Sequence, residues 1–166
     1  MLPKIKTILF PTDIGPQSIN VLRYAEALAI ANDADIVLLN VIEPLTPHVL
    51  SVIEEYMSAD AAKAMRESGI SDLRREVETR LQAFLDEERS SQSEAALSMP
   101  TIRIAEGSPA TAILEEAKAV KADVIVMGTH GYSALGEIVI GSVASKVLHK
   151  AKIPVLAIPF RALPNA

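Results

Sequence analysis

The pattern richest in chemistry lies in the second half of the chain, where Gly128-Thr129-His130-Gly131-Tyr132-Ser133-Ala134-Leu135-Gly136 leads on to Gly141-Ser142. Gly128 and Gly131 let a backbone approach a ligand without Cβ interference, and either accepts positive φ. Gly141 and Ser142 open a helical segment. Unpaired N–H groups and the positive end of the helix dipole favour phosphate there, and the serine hydroxyl adds a donor. A loop between two such elements has the means to wrap a polyphosphate. The same residues also serve as turn punctuation with Ser142 capping its helix, and spacing alone leaves both readings open.

His130 stands inside this loop as a base, a water-orienting group or a local hydrogen-bonder. His48 and His149 read as surface residues. Lys146, one turn inside the last helix, reads as a phosphate contact or a solvated lysine. No set of residues pairs an activated nucleophile with a leaving-group acid, so slow or negligible hydrolysis is expected.

Several chemistries are excluded by what the chain lacks. Gly-x-Gly-x-x-Gly after the first strand would mark a nicotinamide dehydrogenase, but that turn reads Pro11-Thr12-Asp13-Ile14-Gly15. The Gly-x4-Gly-Lys-Ser/Thr string of a Walker-type NTPase is absent, as are the Ser-Gly-Gly loop and His-x-Gly-His string of adenylating enzymes. Gly131-Tyr132-Ser133-Ala134-Leu135 breaks the serine-hydrolase elbow at its last position. With no cysteine there is no disulfide, thiolate zinc site or thiol nucleophile, which fits a cytoplasmic protein. A net charge of −5 with three Tyr and three Phe argues against nucleic-acid binding. Lys4 and Lys6 precede too short an apolar stretch for an export signal. No apolar run approaches the roughly 20 residues that cross a bilayer.

The elements that must position the glycines follow from periodicity. Residues 7–10, 35–42, 102–105, 123–127 and 155–158 read as strands, most of them continuously apolar as expected when both faces are buried. Between them, Val21, Leu22, Ala25, Leu28 and Ala29 form one helical stripe. Ala110, Ile113, Leu114, Ala117 and Val120 form another, and Val143, Val147, Leu148 and Ala151 a third. Ser18 and Ser108-Pro109 are capping signals, and Lys118 and Lys121 oppose a helix dipole. Strands alternating with helices imply an open doubly wound parallel α/β sheet with helices on both faces, and 166 residues suit a single domain.

The segment from His48 to Met99 differs. Its 11 acidic and six basic residues account for the whole net charge. Ile70, Leu73, Val77, Leu81 and Leu85 predict a long amphipathic crossover helix, with Arg74–Glu78 and Glu76–Arg80 pairs four apart. Residues 58–69 read as looser chain and Ser90 to Ser98 as a polar loop. The charge run reads as a solvated face, or residues 44–69 as a lid or partner-binding segment.

Open parallel sheets bind ligands beyond the carboxyl ends of their strands, which directs attention to Pro11–Pro16, Asn40–Glu43 and the glycine segment. Here Gly128-x2-Gly131-x9-Gly141-Ser142 resembles the nucleotide-binding signature of the ATP-binding branch of the universal stress protein family. Ile8-Leu9-Phe10-Pro11-Thr12-Asp13, Gly107-Ser108-Pro109-Ala110-x2-Ile113, Asp123-Val124-Ile125-Val126-Met127-Gly128 and Ala151-x2-Pro154-Val155-Leu156 add to the resemblance, which spans about residues 4–159. It implies strand order 3-2-1-4-5 in a Rossmann-like sheet, with Asp13 facing the glycine loop and contacting ribose or Mg²⁺. It implies that Val41 meets the adenine edge through its backbone. Gly128, Gly131, Gly141, Ser142 and Val143 would hold the phosphates of ATP, with Pro11, Thr12, Met127 and His130 beside them. Two departures stand out. Ile14-Gly15-Pro16-Gln17-Ser18 replaces the family's Gly-Ser or Phe-Ser after the aspartate, and Tyr132 replaces a frequent arginine, a loss of about 1 kcal/mol for a partly exposed contact.

The expected function is an ATP-binding, nucleotide-dependent stress-response module that biases association with a protein client. A slow ATPase in the same pocket and a scaffold without nucleotide are the alternatives. The resemblance further implies a homodimer through the last strand, Val155 to Ile158, whose sheet edge needs covering. Pro154 and Pro159 bracket that strand.

Overall fold

All five short apolar runs become strands of one sheet. The computed structural model describes residues 2–15, 17–91, 98–129 and 140–159. In chain order the elements are β1 (Thr7–Pro11), α1 (Ser18–Asn32), β2 (Asp35–Ile42), α2 (Pro47–Tyr56), α3 (Ala59–Ser91), β3 (Thr101–Glu106), α4 (Pro109–Ala119), β4 (Val124–Gly128), α5 (Ser142–Lys150) and β5 (Val155–Ile158). Every pairing is parallel, and the spatial order is β3-β2-β1-β4-β5. Strand order therefore reverses between β1 and β4, where Ile8 lies opposite Val124 and Leu9 opposite Ile125.

Successive strand residues point to opposite faces, and the sequence fills both. Ile8, Phe10, Ile36, Leu38, Val124 and Val126 pack against Val21, Leu22 and Ala25 of α1 and Val77, Leu81 and Leu85 of α3. Leu9, Val37, Leu39, Ile125 and Met127 pack against Ala110, Ile113 and Ala117 of α4 and Ala144 and Val147 of α5. Leu38 and Leu81 are fully enclosed, and truncating either to alanine costs about 2–5 kcal/mol.

The crossover between β2 and β3 departs from expectation. Residues 58–69 are not loose, because α3 runs for 33 residues from Ala59 to Ser91. Ser58 starts it, its hydroxyl accepting from the Ala61 amide at 3.3 Å and its carbonyl from the Ala62 amide at 2.9 Å. Ala61, Ala62, Lys63, Ala64, Met65, Arg66 and Glu67 are strong helix formers, and the single Gly69 costs only about 1 kcal/mol. Of the polar loop expected at Ser90–Ser98, Ser90 and Ser91 belong to the helix instead, and residues 92–97 lie outside the described residues. Arg74 does not use Glu78. It donates to the Ile104 carbonyl at 3.0 and 3.2 Å and approaches Glu106 at 3.7 Å, fastening α3 to β3.

Helix ends differ in detail. Gln17, not Ser18, is the N-cap of α1, because the Ser18 hydroxyl is held in the preceding turn. Ser108 is the N-cap of α4 with Pro109 following, yet its side chain makes no capping bond. Lys118 lies in the last turn of α4, while Lys121 lies beyond it at φ +53°, where the Ala122 amide closes on the Ala117 carbonyl at 2.8 Å. On α5 the buried residues are Ala144 and Val147, and Leu148 turns outward.

Candidate functional site

The turn after β1 is built by short polar side chains. Asn40, buried in β2, donates through Nδ2 to the Thr12 carbonyl at 2.8 Å, and the Thr12 amide donates to the Leu39 carbonyl at 2.8 Å. The Thr12 hydroxyl donates to Ser18 Oγ at 2.9 Å, and Ser18 Oγ donates to Asp13 Oδ1 at 3.4 Å. Asp13 Oδ1 also accepts from the Gly15 amide at 2.9 Å, an Asx-type turn. Ile14, between them, adopts φ +58°, a left-handed conformation that costs a β-branched residue roughly 1–2 kcal/mol. Its side chain packs on the α1–α3 core, which offsets that cost. Gly15 leaves room for the aspartate, since a Cβ there would sit 2.9 Å from Asp13 Oδ1 and push that side chain aside.

On the other side of the switch point, Gly128 ends β4 and Thr129 is buried, its amide bonded to the Ile158 carbonyl at 2.9 Å. Gly141 returns to the same place, its amide donating to the Thr129 carbonyl at 2.7 Å. It is also the N-cap of α5, its carbonyl accepting from the Ser145 amide at 2.9 Å. Ser142 is thus the first helical residue, not a cap, and its side chain is exposed.

These segments wall one crevice of about 630 Å³ at the carboxyl ends of β1, β2 and β4. Pro11, Thr12, Asp13, Val41, Met127, Gly128, Gly141, Ser142 and Val143, all picked from the sequence, line it together. His130 and Gly131 lie outside the described residues, as does Tyr132. Lys146 is exposed on α5 and does not line the crevice. Asn40, at the head of the Asn40–Glu43 stretch picked from the sequence, lines it too. Two helices not picked for the site also contribute: Pro109 and Ile113 bring the start of α4 to the wall, and Leu73, Val77 and Arg80 bring α3. A helical stripe assigns Leu73 and Val77 to a core, so nothing local marked them as crevice residues.

The charged wall residues among the described ones are Asp13, Glu43 and Arg80. The lining would suit Mg²⁺ coordinated mainly by phosphate oxygens and water, with the Asp13 carboxylate in the crevice wall as a protein ligand. Among the described residues no cluster of three or more His, Asp or Glu could form an all-protein metal cage. Strong ion pairing lies elsewhere. Glu88 raises the pKa of Arg23 and Glu116 that of Arg103, in each case through a side-chain hydrogen bond first and charge second. Among the described residues no helix is long and apolar enough to cross a membrane.

A five-stranded parallel sheet whose order reverses between β1 and β4, with a crevice at that switch point, defines a doubly wound α/β protein. Residues 4–159 match the model of the Universal stress protein family, and the chain belongs to that family. Universal stress protein MJ0531 of Methanocaldococcus jannaschii is 32% identical over 153 residues, which is 92% of this chain and 81% of the relative. The solved structure of the protein MJ0577, from the same organism, is 24% identical with a TM-score of 0.68, over 97% of this chain and 100% of that one. A universal stress protein solved in complex with cAMP is 23% identical with a TM-score of 0.56, over 94% of this chain and 98% of that one. At such identities the structural likeness speaks for the fold.

Proposed function

We propose that this chain is an ATP-binding universal stress protein, a regulatory module whose state depends on nucleotide. One observation carries the reading: Asp13, Val41, Gly128 and the Gly141–Val143 helix start, four separate segments, converge on one crevice of about 630 Å³. That volume falls within the usual range for ligand sites, about 300–1,000 Å³. The start of α5 supplies free amides and the positive end of a dipole for phosphate. Val41 and Met127 supply apolar wall for an adenine ring, and Pro11 and Thr12 shape the turn that presents Asp13 to ribose or Mg²⁺. His130 and Gly131 complete the phosphate loop in this reading. That another member of the fold holds cAMP supports an adenine nucleotide here.

Bound nucleotide biases association with a protein client, with at most weak hydrolysis. The protein acts in the cytoplasm as a homodimer through β5, an edge strand with Leu156 exposed. Isothermal titration with magnesium-ATP tests the binding. Heat of binding and a raised melting temperature are expected, and neither effect at millimolar ATP overturns the reading.

A further inference from the structure

The outer face of α3 carries a solvated run of charge. One of its cations does not face outward only. Arg80 lines the crevice one turn beyond Val77, which is buried against β1 and α1. It is the only cationic side chain in that wall among the described residues. The other charges there, Asp13 and Glu43, repel an anionic ligand. Neighbouring arginines of α3 have employment: Arg74 binds β3, Arg75 pairs with Asp72, and Arg66 with Glu54. Arg80 has no ion pair or side-chain hydrogen bond among the described residues. A planar guanidinium with five donors, anchored by a buried neighbour and opening on a crevice, suits a phosphate oxygen pair.

We infer that Arg80 is a ligand-binding residue that pairs with the phosphates of the nucleotide, so that the crossover helix reads the ligand's phosphorylation state. The inference rests on the nucleotide reading above and adds α3 to the site. It also gives the acidic crossover a part in the response, because an occupied crevice then ties α3 to β1 and the start of α5. Arg80 is exposed, so solvent screening limits the gain to about one order of magnitude in affinity.

The test is titration of wild type, Arg80→Gln and Arg80→Lys with ATP and with adenosine, each with magnesium. Arg80→Gln keeps a strong helix former at an exposed position, and thermal melting verifies its fold. The expected result is about tenfold weaker ATP binding in Arg80→Gln, with adenosine affinity unchanged within about twofold and partial recovery in Arg80→Lys. Added salt should narrow the gap between wild type and Arg80→Gln. ATP affinity unchanged in Arg80→Gln, or equal losses for ATP and adenosine, overturns the inference while leaving nucleotide binding intact. No heat from wild type with either ligand overturns both.

Discussion

Arg23 and Glu88 meet as a fork, with Nε 2.8 Å from Oε1 and Nη2 3.3 Å from Oε2. They join α1 to the last turns of α3 across 65 residues of sequence. The Glu88 side chain is 4% exposed and that of Arg23 47%, so one charge is buried and the other half solvated. Removing the arginine takes the two-point cation away from a buried carboxylate, which costs several kcal/mol in a dry site and less beside solvent. Arg23→Ala should lose about 1–2 kcal/mol in urea denaturation. Because Glu88 raises the Arg23 pKa, the pair's contribution is complete below the guanidinium's ordinary value and disappears only as pH rises through the raised one. The loss should therefore be equal at about pH 7 and about pH 10. A loss that shrinks by pH 10 would assign the effect to another group.

Ile14 offers a direct measure of backbone strain. Ile14→Ala keeps the left-handed conformation and removes packing, while Ile14→Gly removes the packing and the strain together. Ile14→Gly should be more stable than Ile14→Ala by about 1 kcal/mol. Equal stabilities in chemical denaturation would mean that residue 14 carries no strain.

Asn40 should matter to the turn more than its size suggests. Asn40→Leu leaves the Thr12 carbonyl without its side-chain donor and costs about 1–3 kcal/mol. It should also weaken magnesium-ATP, because the same bond holds the turn that presents Asp13. Full affinity in a folded Asn40→Leu protein would detach the turn from the ligand.

Gly15 separates positioning from stability. A methyl group there must displace Asp13 Oδ1, the far end of a flexible side chain. Gly15→Ala should therefore shift melting little, yet lower magnesium-ATP affinity several-fold, as should Asp13→Ala. Titration that leaves both variants at wild-type affinity would remove Asp13 from the site.

The edge strand predicts the assembly. Leu156 is 39% exposed on β5, and an aspartate there would place like charges across a two-fold axis. Light scattering should give a dimer for wild type and a monomer for Leu156→Asp. A wild-type monomer independent of concentration would end the dimer reading.

The three central strands were legible because burial on both faces makes them nearly continuous apolar runs, and the edge strands β3 and β5 were legible as short β-rich runs. The order 3-2-1-4-5 was legible through the family resemblance, and the glycine and aspartate positions through their place at strand ends. The length of α3 was not. Its first half lacks a sustained apolar stripe, and helix propensity, a weaker signal, carried it there. Asn40 was legible as a strand-end residue but its bond was not, because the partner is a carbonyl 28 residues away. Asp123, whose Oδ2 accepts from the Lys6 and Thr7 amides at 2.7 and 2.9 Å, joins partners distant in sequence in the same manner. Arg80 had been matched with Glu76 by spacing, which identifies neighbours on a helix but not what a third element brings near them.

At about 1.5 Å per residue the 33 residues of α3 reach about 50 Å, whereas an eight-residue strand such as β2 covers about 27 Å. Between 59 and 76 only Ala62 is buried, and α2 buries no residue at all. The helix before Leu73 is thus a cantilever, clamped from Arg74 onward through Val77, Leu81, Leu85 and Glu88. Its free end can fray, exchange amide hydrogens and be trimmed by a protease while the sheet beneath stays whole.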